Sequence, residues 1–149
     1  MYRPGLRALP PQTQAQYLNL AMSSTPLPDD ELTIQVYRKP TYVLVTVAGE
    51  VDIATAAQLR ESLRPLVAGG RRVVADLDQV SFIDAAGLGV LAGTAGLAAA
   101  HGTSLSVVCS WPRVRRLFRL TGLDSSVPLA RTLAEALKAS QASPQGRVS

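Results

Sequence analysis

The chain has 149 residues but only one cysteine and one histidine. A single thiol rules out an internal disulfide, and Cys109 alone suits a reducing cytoplasm. With no CxxC and no second imidazole, the sequence holds no ligand pattern for a Cys/His metal site. Aromatic residues make up 5% of the chain, so Val, Leu, Ile and Ala must fill its core. Long apolar runs are missing as well. The longest such stretch, residues 85–100, is mostly Ala and Gly. It falls short of the about 20 strongly apolar residues that a bilayer span needs, and no membrane partner is expected. Arg3 and Arg7 are followed by Pro, Gln and Thr rather than by the apolar stretch of a signal peptide. There is no GxGxxG, and the run GLGVLAG (residues 87–93) lacks the Lys-Ser/Thr that a phosphate cradle requires. No cofactor is expected.

What is present suits one ordinary domain. Hydrophobic residues are 47% of the chain, enough for a real core. The formal net charge is +4. The basic residues are scattered, at Arg71 and Arg72, at Arg113, Arg115, Arg116 and Arg119, at Arg131 and in the tails. That distribution reads as solvated helix faces and loop ends rather than as a nucleic-acid footprint.

Composition divides the chain in three. Residues 1–30 carry five prolines, Pro4, Pro10, Pro11, Pro26 and Pro28, among Gln, Thr and Ser, and read as a disordered leader. Within it, QAQYLNLAM (residues 14–22) has the makings of a turn or two of helix. Residues 31–139 carry the pattern of a folded domain, and residues 140–149 read as a flexible tail. In the domain, LTIQVY (32–37) alternates apolar and polar, Lys39-Pro40-Thr41 signals a turn, and YVLVTV (42–47) is β-branched. The two runs predict an antiparallel hairpin. Residues 54–67 space Ala57, Leu59, Leu63, Leu66 and Val67 as a helix does, stopped by Gly69-Gly70. VVADL (73–77) is a short, nearly all-apolar strand of the kind buried on both faces. A helix over 86–100, a strand over 105–108, a helix over 113–120 burying Val114, Leu117, Phe118 and Leu120, a brief strand over 127–129 and a helix from Thr132 follow. Helices between short apolar strands predict parallel crossovers in one mixed sheet, with the first hairpin strand as its antiparallel edge.

The most informative stretch is DLDQVSFIDAAGLGVL (76–91). A strand ends at Leu77, a loop sends Val80 and Phe82 into the core, and Asp84 stands just before a helix. A carboxylate there caps free N–H groups and complements the helix dipole. Gly87 and Gly89 in the first turns each cost about 1 kcal/mol of helix propensity against Ala. Glycine at such positions admits the close approach of another surface, either the protein's own sheet or a partner.

The run SFIDAAGLGVL resembles the signature of STAS domains, found in anti-sigma factor antagonists and in the cytoplasmic part of sulfate transporters. GEVD (49–52) is similar to that family's Gly-Glu-Leu/Ile-Asp, and VRRLFRLTGLD (114–124) to its Val-Arg-Arg-hydrophobic…Thr-Gly-Leu segment. The three motifs stand in the family's order, and the resemblance covers residues 32 to about 138. It implies an α/β fold: a single STAS-like domain, a mixed sheet of about five strands with four to five helices mainly on one face. It also implies a non-enzymatic module that binds a kinase-like ATPase anti-sigma factor and so promotes release of a sigma factor. The partner surface would be Asp84, Ala85, Ala86, Gly87 and Leu88, with Asp52 and Thr55 from the loop before the first helix. In phosphorylatable members the residue after the Asp is the Ser or Thr that the partner kinase modifies. Here it is Ala85, which offers no oxygen.

Ser81 and Thr94 lie near but not at that position, and read as a strand-end and a helix-face hydroxyl. His101, beside Gly102 at a helix end, reads as a cap on the last carbonyls. Cys109 reads as a small buried hydrophobe. Trp111-Pro112 fits an exposed aromatic or a packed helix start equally well. Two other classes of function remain open at this point. One is a ligand-sensing domain that binds a nucleotide or lipid near the Asp84 loop, or a scaffold in a signalling complex. The other, an enzyme, would need a nucleophile with a base in reach, and a single histidine at a helix end does not supply it.

Overall fold

The structure, a computed structural model, describes residues 31–142. The leader, with its QAQYLNLAM stretch, and residues 143–149 lie outside the described residues. The elements in chain order are β1 (Thr33–Arg38), β2 (Val43–Val51), α1 (Ala56–Ala68), β3 (Val73–Ile83), α2 (Ala85–Ala100), β4 (Leu105–Val108), α3 (Pro112–Leu120), a 3-10 turn (Leu123–Ser125), β5 (Leu129–Ala130) and α4 (Leu133–Ala142). One sheet holds all five strands in the order β1-β2-β3-β4-β5. β1 and β2 form the antiparallel hairpin, and every later pairing is parallel.

The alternation in β2 sets the layers. Val43, Val45 and Val47 point to the same face and are fully buried. Val73, Ala75 and Leu77 of β3 join them, and α1, α2 and α3 cover that face with Leu59, Leu63, Leu91, Val114 and Phe118. Each such Val, Leu or Phe contributes about 1.5–3 kcal/mol relative to exposure. Residues of opposite parity, Val74 and Val108, pack with Ala130 and Ala136 in a smaller cluster under α4. Three helices on one side and one on the other match the expected architecture.

Five local expectations need correction. β3 does not stop at Leu77 but continues to Ile83. Its ladder with β2 steps from Thr46–Asp76 to Ala48–Gln79 and from Gly49–Val80 to Glu50–Phe82, so β3 holds an extra residue at each step. These bulges interrupt the alternation that marks a strand. The second one turns Phe82 outward, 47% exposed, while Val80 and Ile83 stay in the core. In α1 the buried alanine is Ala56 and not Ala57. Leu120, at the last turn of the nine-residue α3, is 74% exposed rather than packed. The last strand is Leu129–Ala130, paired with Val107 and Val108, rather than residues 127–129.

Candidate functional site

β2 and β3 end side by side. Val51 pairs with Ile83, and the Asp84 N–H donates to the Val51 carbonyl at 3.1 Å. The chain turns into a helix just past each strand end, so the first turns of α1 and α2 start next to each other at the carboxyl edge of the sheet. In open α/β sheets, ligands bind outside this carboxyl edge.

Asp84 is the N-cap of α2. Its Oδ1 accepts from the Ala86 N–H at 2.9 Å and from the Gly87 N–H at 3.3 Å. Two of the four N–H groups that a helix start leaves unpaired are thereby satisfied. Asp52 braces the turn that leads into α1, a helix whose own N-cap, Thr55, makes no side-chain capping bond. The Asp52 Oδ1 accepts from the Ala54 N–H at 2.9 Å and the Thr55 N–H at 3.1 Å. The Thr55 hydroxyl donates to the Glu50 carbonyl at 2.8 Å and accepts from the Asp52 N–H at 2.9 Å. Both oxygens are thus committed to the fold and hold the turn rigid.

The seven residues expected to form a partner surface divide into two layers. Asp52, Thr55, Asp84 and Ala86 are half-buried and Ala85 is exposed, while Gly87 and Leu88 are buried. A Cβ on Gly87 would stand 2.6 Å from Val51 Cγ1 and 2.8 Å from Ile83 Cγ1, closer than real atoms come. This glycine therefore serves the protein's own packing, of helix on sheet. Around Gly89 a Cβ would meet nothing within 4 Å among the described residues. Of the two surfaces that glycine might have admitted, Gly87 admits the sheet and Gly89 faces open space.

The outer layer includes a residue the motif reading did not single out. Ile53, between Asp52 and Thr55, is 84% exposed. Its signal in the sequence was that it falls outside the 59/63/66/67 spacing of the buried α1 face. Beside it runs a groove of about 380 Å³ between α1 and α2, lined by Arg60 and Arg64 on one wall and Gly89, Gly93 and Thr94 on the other.

Ser81 is exposed on β3, and Thr94 is buried on α2. The His101 ring Nδ1 lies 3.0 Å from the Leu97 carbonyl, at the C-cap of α2, as a capping role requires. Cys109 is fully buried. Burial pushes its thiol pKa up, the Asp78 and Asp76 charges add to that, and Arg115 opposes it. Raising a thiol's pKa removes its nucleophilic form. Trp111 is half exposed, with its indole N–H donating to the Asp78 carbonyl at 2.6 Å. Among the described residues no three His, Cys, Asp or Glu side chains gather as a metal site. No described helix is long and apolar enough to cross a membrane.

Comparison with known proteins follows the same outline. Residues 33–136 match the family model for the STAS domain. The chain is 34% identical over 99 residues to the anti-sigma-B factor antagonist of Bacillus subtilis, covering 66% of this chain and 91% of that one. A crystal structure of an anti-sigma factor antagonist from Mycobacterium paratuberculosis superposes with a TM-score of 0.69 at 36% identity, over 76% of this chain and 97% of that one. The antagonist SpoIIAA in its unphosphorylated form shares the fold at 23% identity and a TM-score of 0.60, over 71% of this chain and 94% of that one. The chain therefore belongs to the STAS domain family, in its anti-sigma factor antagonist branch of regulators rather than enzymes.

Proposed function

We propose that this protein binds a kinase-like ATPase anti-sigma factor through the paired starts of α1 and α2, and does so without a phosphorylation switch at Ala85. The observation that carries this reading is the exposed Ala85 methyl at the helix start, directly after the capping Asp84. In phosphorylatable relatives the residue after the Asp is a hydroxyl. A phosphate there adds about −1.5 to −2 charges, at a place where a partner must come close. An alanine keeps the surface small and uncharged under all conditions. Asp84, Ala85, Ala86 and Ile53 supply the contact surface. Gly87 and Leu88 act from beneath, by setting α2 flat on the sheet, and Asp52 and Thr55 hold the neighbouring turn.

Neither nearby hydroxyl takes Ala85's place. Thr94 is buried, and Ser81 lies on a strand three residues before the cap rather than at a helix start. Thr55 has its hydroxyl engaged with Glu50 and Asp52.

The test uses each kinase-like anti-sigma factor of the source organism, purified and titrated against the full chain by calorimetry. One of them is expected to bind, and Asp84→Arg to weaken it by far more than the about 0.5–2 kcal/mol that loss of a cap explains. Equal affinity for Asp84→Arg would place the docking face elsewhere. Incubation with that partner and ATP should leave the wild type unmodified by intact mass, while Ala85→Ser gains a phosphate and binds more weakly. Phosphate mapped to Ser81 or Thr94 in the wild type would refute the missing switch. Nucleotide or lipid retained through purification would favour the ligand-sensing reading instead.

A further inference from the structure

We infer that the α1–α2 groove takes an acidic segment of the same protein partner, one with two carboxylates about one helical turn apart; this rests on the partner reading above and adds the chemistry that selects among partners. The groove has a charged wall and a bare one. Arg60 and Arg64 stand four residues apart on α1, both exposed. Neither has an ion-pair or hydrogen-bond partner among the described residues. Residues on one helix face at that spacing lie about 5–6 Å apart. The opposite wall is α2, whose sixteen residues include no charged side chain. The two cations therefore face no acidic side chain from α2, and the one acid on their own helix is Glu61, three residues before Arg64.

The floor is built for close approach. Gly89 and Gly93 lie one turn apart in α2, and a Cβ at either would meet nothing within 4 Å among the described residues. They are not needed to seat the helix, unlike Gly87, yet each carries the helix-propensity cost of glycine. Without side chains, they let a foreign backbone descend to the helix surface. Thr94 closes the floor. It is 2% exposed, and its Oγ1 has no hydrogen-bond partner among the described residues. A buried hydroxyl left unpaired is costly in the free protein; the cost is relieved when Thr94 turns toward the groove and an incoming carbonyl or carboxylate accepts from it.

A polypeptide fits better than a small anion because the groove is continuous with the docking loop. Ile53 and Ala86 line its mouth and also form the contact layer at the helix starts. One partner covering Ala85 would run directly into it. Charges arranged this way act chiefly on specificity and association rate, and they are screened by salt.

The experiment takes the anti-sigma factor that binds the wild type and compares three full-length variants by calorimetry and stopped flow. Arg60→Glu with Arg64→Glu should weaken binding about tenfold or more at low salt, mostly through the association rate, and flatten its salt dependence. Arg60→Lys with Arg64→Lys should restore most of the salt dependence. Gly93→Leu should raise or preserve the melting temperature, since it replaces an exposed helical glycine, yet weaken binding by a similar factor. Wild-type affinity in both the double-Glu and Gly93→Leu variants would overturn the groove proposal and leave the partner reading standing. Failure of every kinase-like anti-sigma factor to bind the wild type would overturn both. A melting temperature raised by millimolar ATP or inorganic phosphate, lost in the double-Glu variant while partner affinity is kept, would assign the groove to a small anion and overturn the proposal.

Discussion

The first turns of α1 and α2 lie side by side, and before each stands an aspartate whose Oδ1 accepts from the N–H two residues on. At α2 that aspartate caps the helix, whereas Asp52 holds the turn before α1, whose N-cap Thr55 makes no side-chain capping bond. At α1 the carboxylate, a threonine hydroxyl and the Glu50 carbonyl form a closed network, and the residue left outside is a branched hydrophobe, Ile53. At α2 the carboxylate works alone, and the residue left outside is the smallest with a side chain, Ala85. The lesson is that one local solution to unpaired N–H groups leaves the neighbouring surface free to vary. α1 presents an apolar anchor, and α2 presents an open, low-relief approach. A partner that uses both gains a hydrophobic contact beside a site where its backbone meets no bulk.

The largest effect expected at this pair comes from beneath it. Gly87→Ala puts a methyl into Val51 and Ile83, so α2 must lift from the sheet. Overpacking of this kind costs about 1–3 kcal/mol, and thermal melting should show a clear fall. At Gly89, two residues on, the same change should raise stability by about 1 kcal/mol, because the added methyl meets open space and improves helix propensity. If both substitutions moved the melting temperature in the same direction, the division into a packed and an open glycine would fail.

Next in size are the two aspartates themselves. Asp84→Ala should cost about 0.5–2 kcal/mol in chemical denaturation as a lost N-cap, and Asp52→Ala, which frees the Ala54 and Thr55 N–H groups of the turn, about 0.5–1.5 kcal/mol. Thr55→Ala should add its own loss, since its hydroxyl bridges Glu50 and Asp52. The two aspartates support different segments, so the Asp52→Ala and Asp84→Ala losses should sum. The Asp52→Ala and Thr55→Ala losses should not, because the groups share one network. Additivity of the latter pair would break the contrast between a networked turn and a solitary cap.

Much of this arrangement was legible in the sequence. The hairpin, the two long helices and the mixed parallel sheet follow from alternation and helical spacing. Asp84's capping role follows from its place before the apolar helix. The errors cluster where periodicity is interrupted. β3 reads as ending at Leu77 because two extra residues, one on either side of Gln79, break its alternation, and the same slip placed Phe82 in the core. Leu120 fits the apolar spacing of α3, but α3 ends there and nothing among the described residues covers it. At the site, the motif picks out residues 84–88 as a unit, yet burial splits them, because a helix start shows only one side. The α1–α2 groove is a property of two helices packed together. No single segment encodes it, and Arg60 and Arg64 look like any solvated pair until the bare wall opposite them is seen.

The smallest expected effect concerns a third aspartate that makes the same bond inside a strand. Asp76 Oδ1 accepts from the Asp78 N–H at 2.9 Å, at the first bulge of β3, where that N–H faces one residue of β2 too few. The bond geometry matches Asp84 with Ala86, but the setting is the sheet interior rather than a helix start. Burial raises the Asp76 pKa; the hydrogen bond from Asp78 opposes this, and the Asp78 charge adds to it. The sign for stability follows. The folded state holds this proton more tightly than the unfolded chain does, so the contribution of Asp76 is fully present below the ordinary carboxylate value of about 4 and is lost as pH rises through the raised folded value. That is the reverse of a salt-bridged aspartate. Asp76→Asn keeps an oxygen for the Asp78 N–H and removes the buried charge. It should therefore be modestly more stable than wild type at neutral pH, with the advantage shrinking as pH falls toward 4. Denaturant midpoints measured across that range decide the matter. An Asn variant less stable than wild type at pH 7, with a gap that closes on acidification, would mean that the charged form is favoured by the fold and that the bulge needs its carboxylate as the helix starts need theirs.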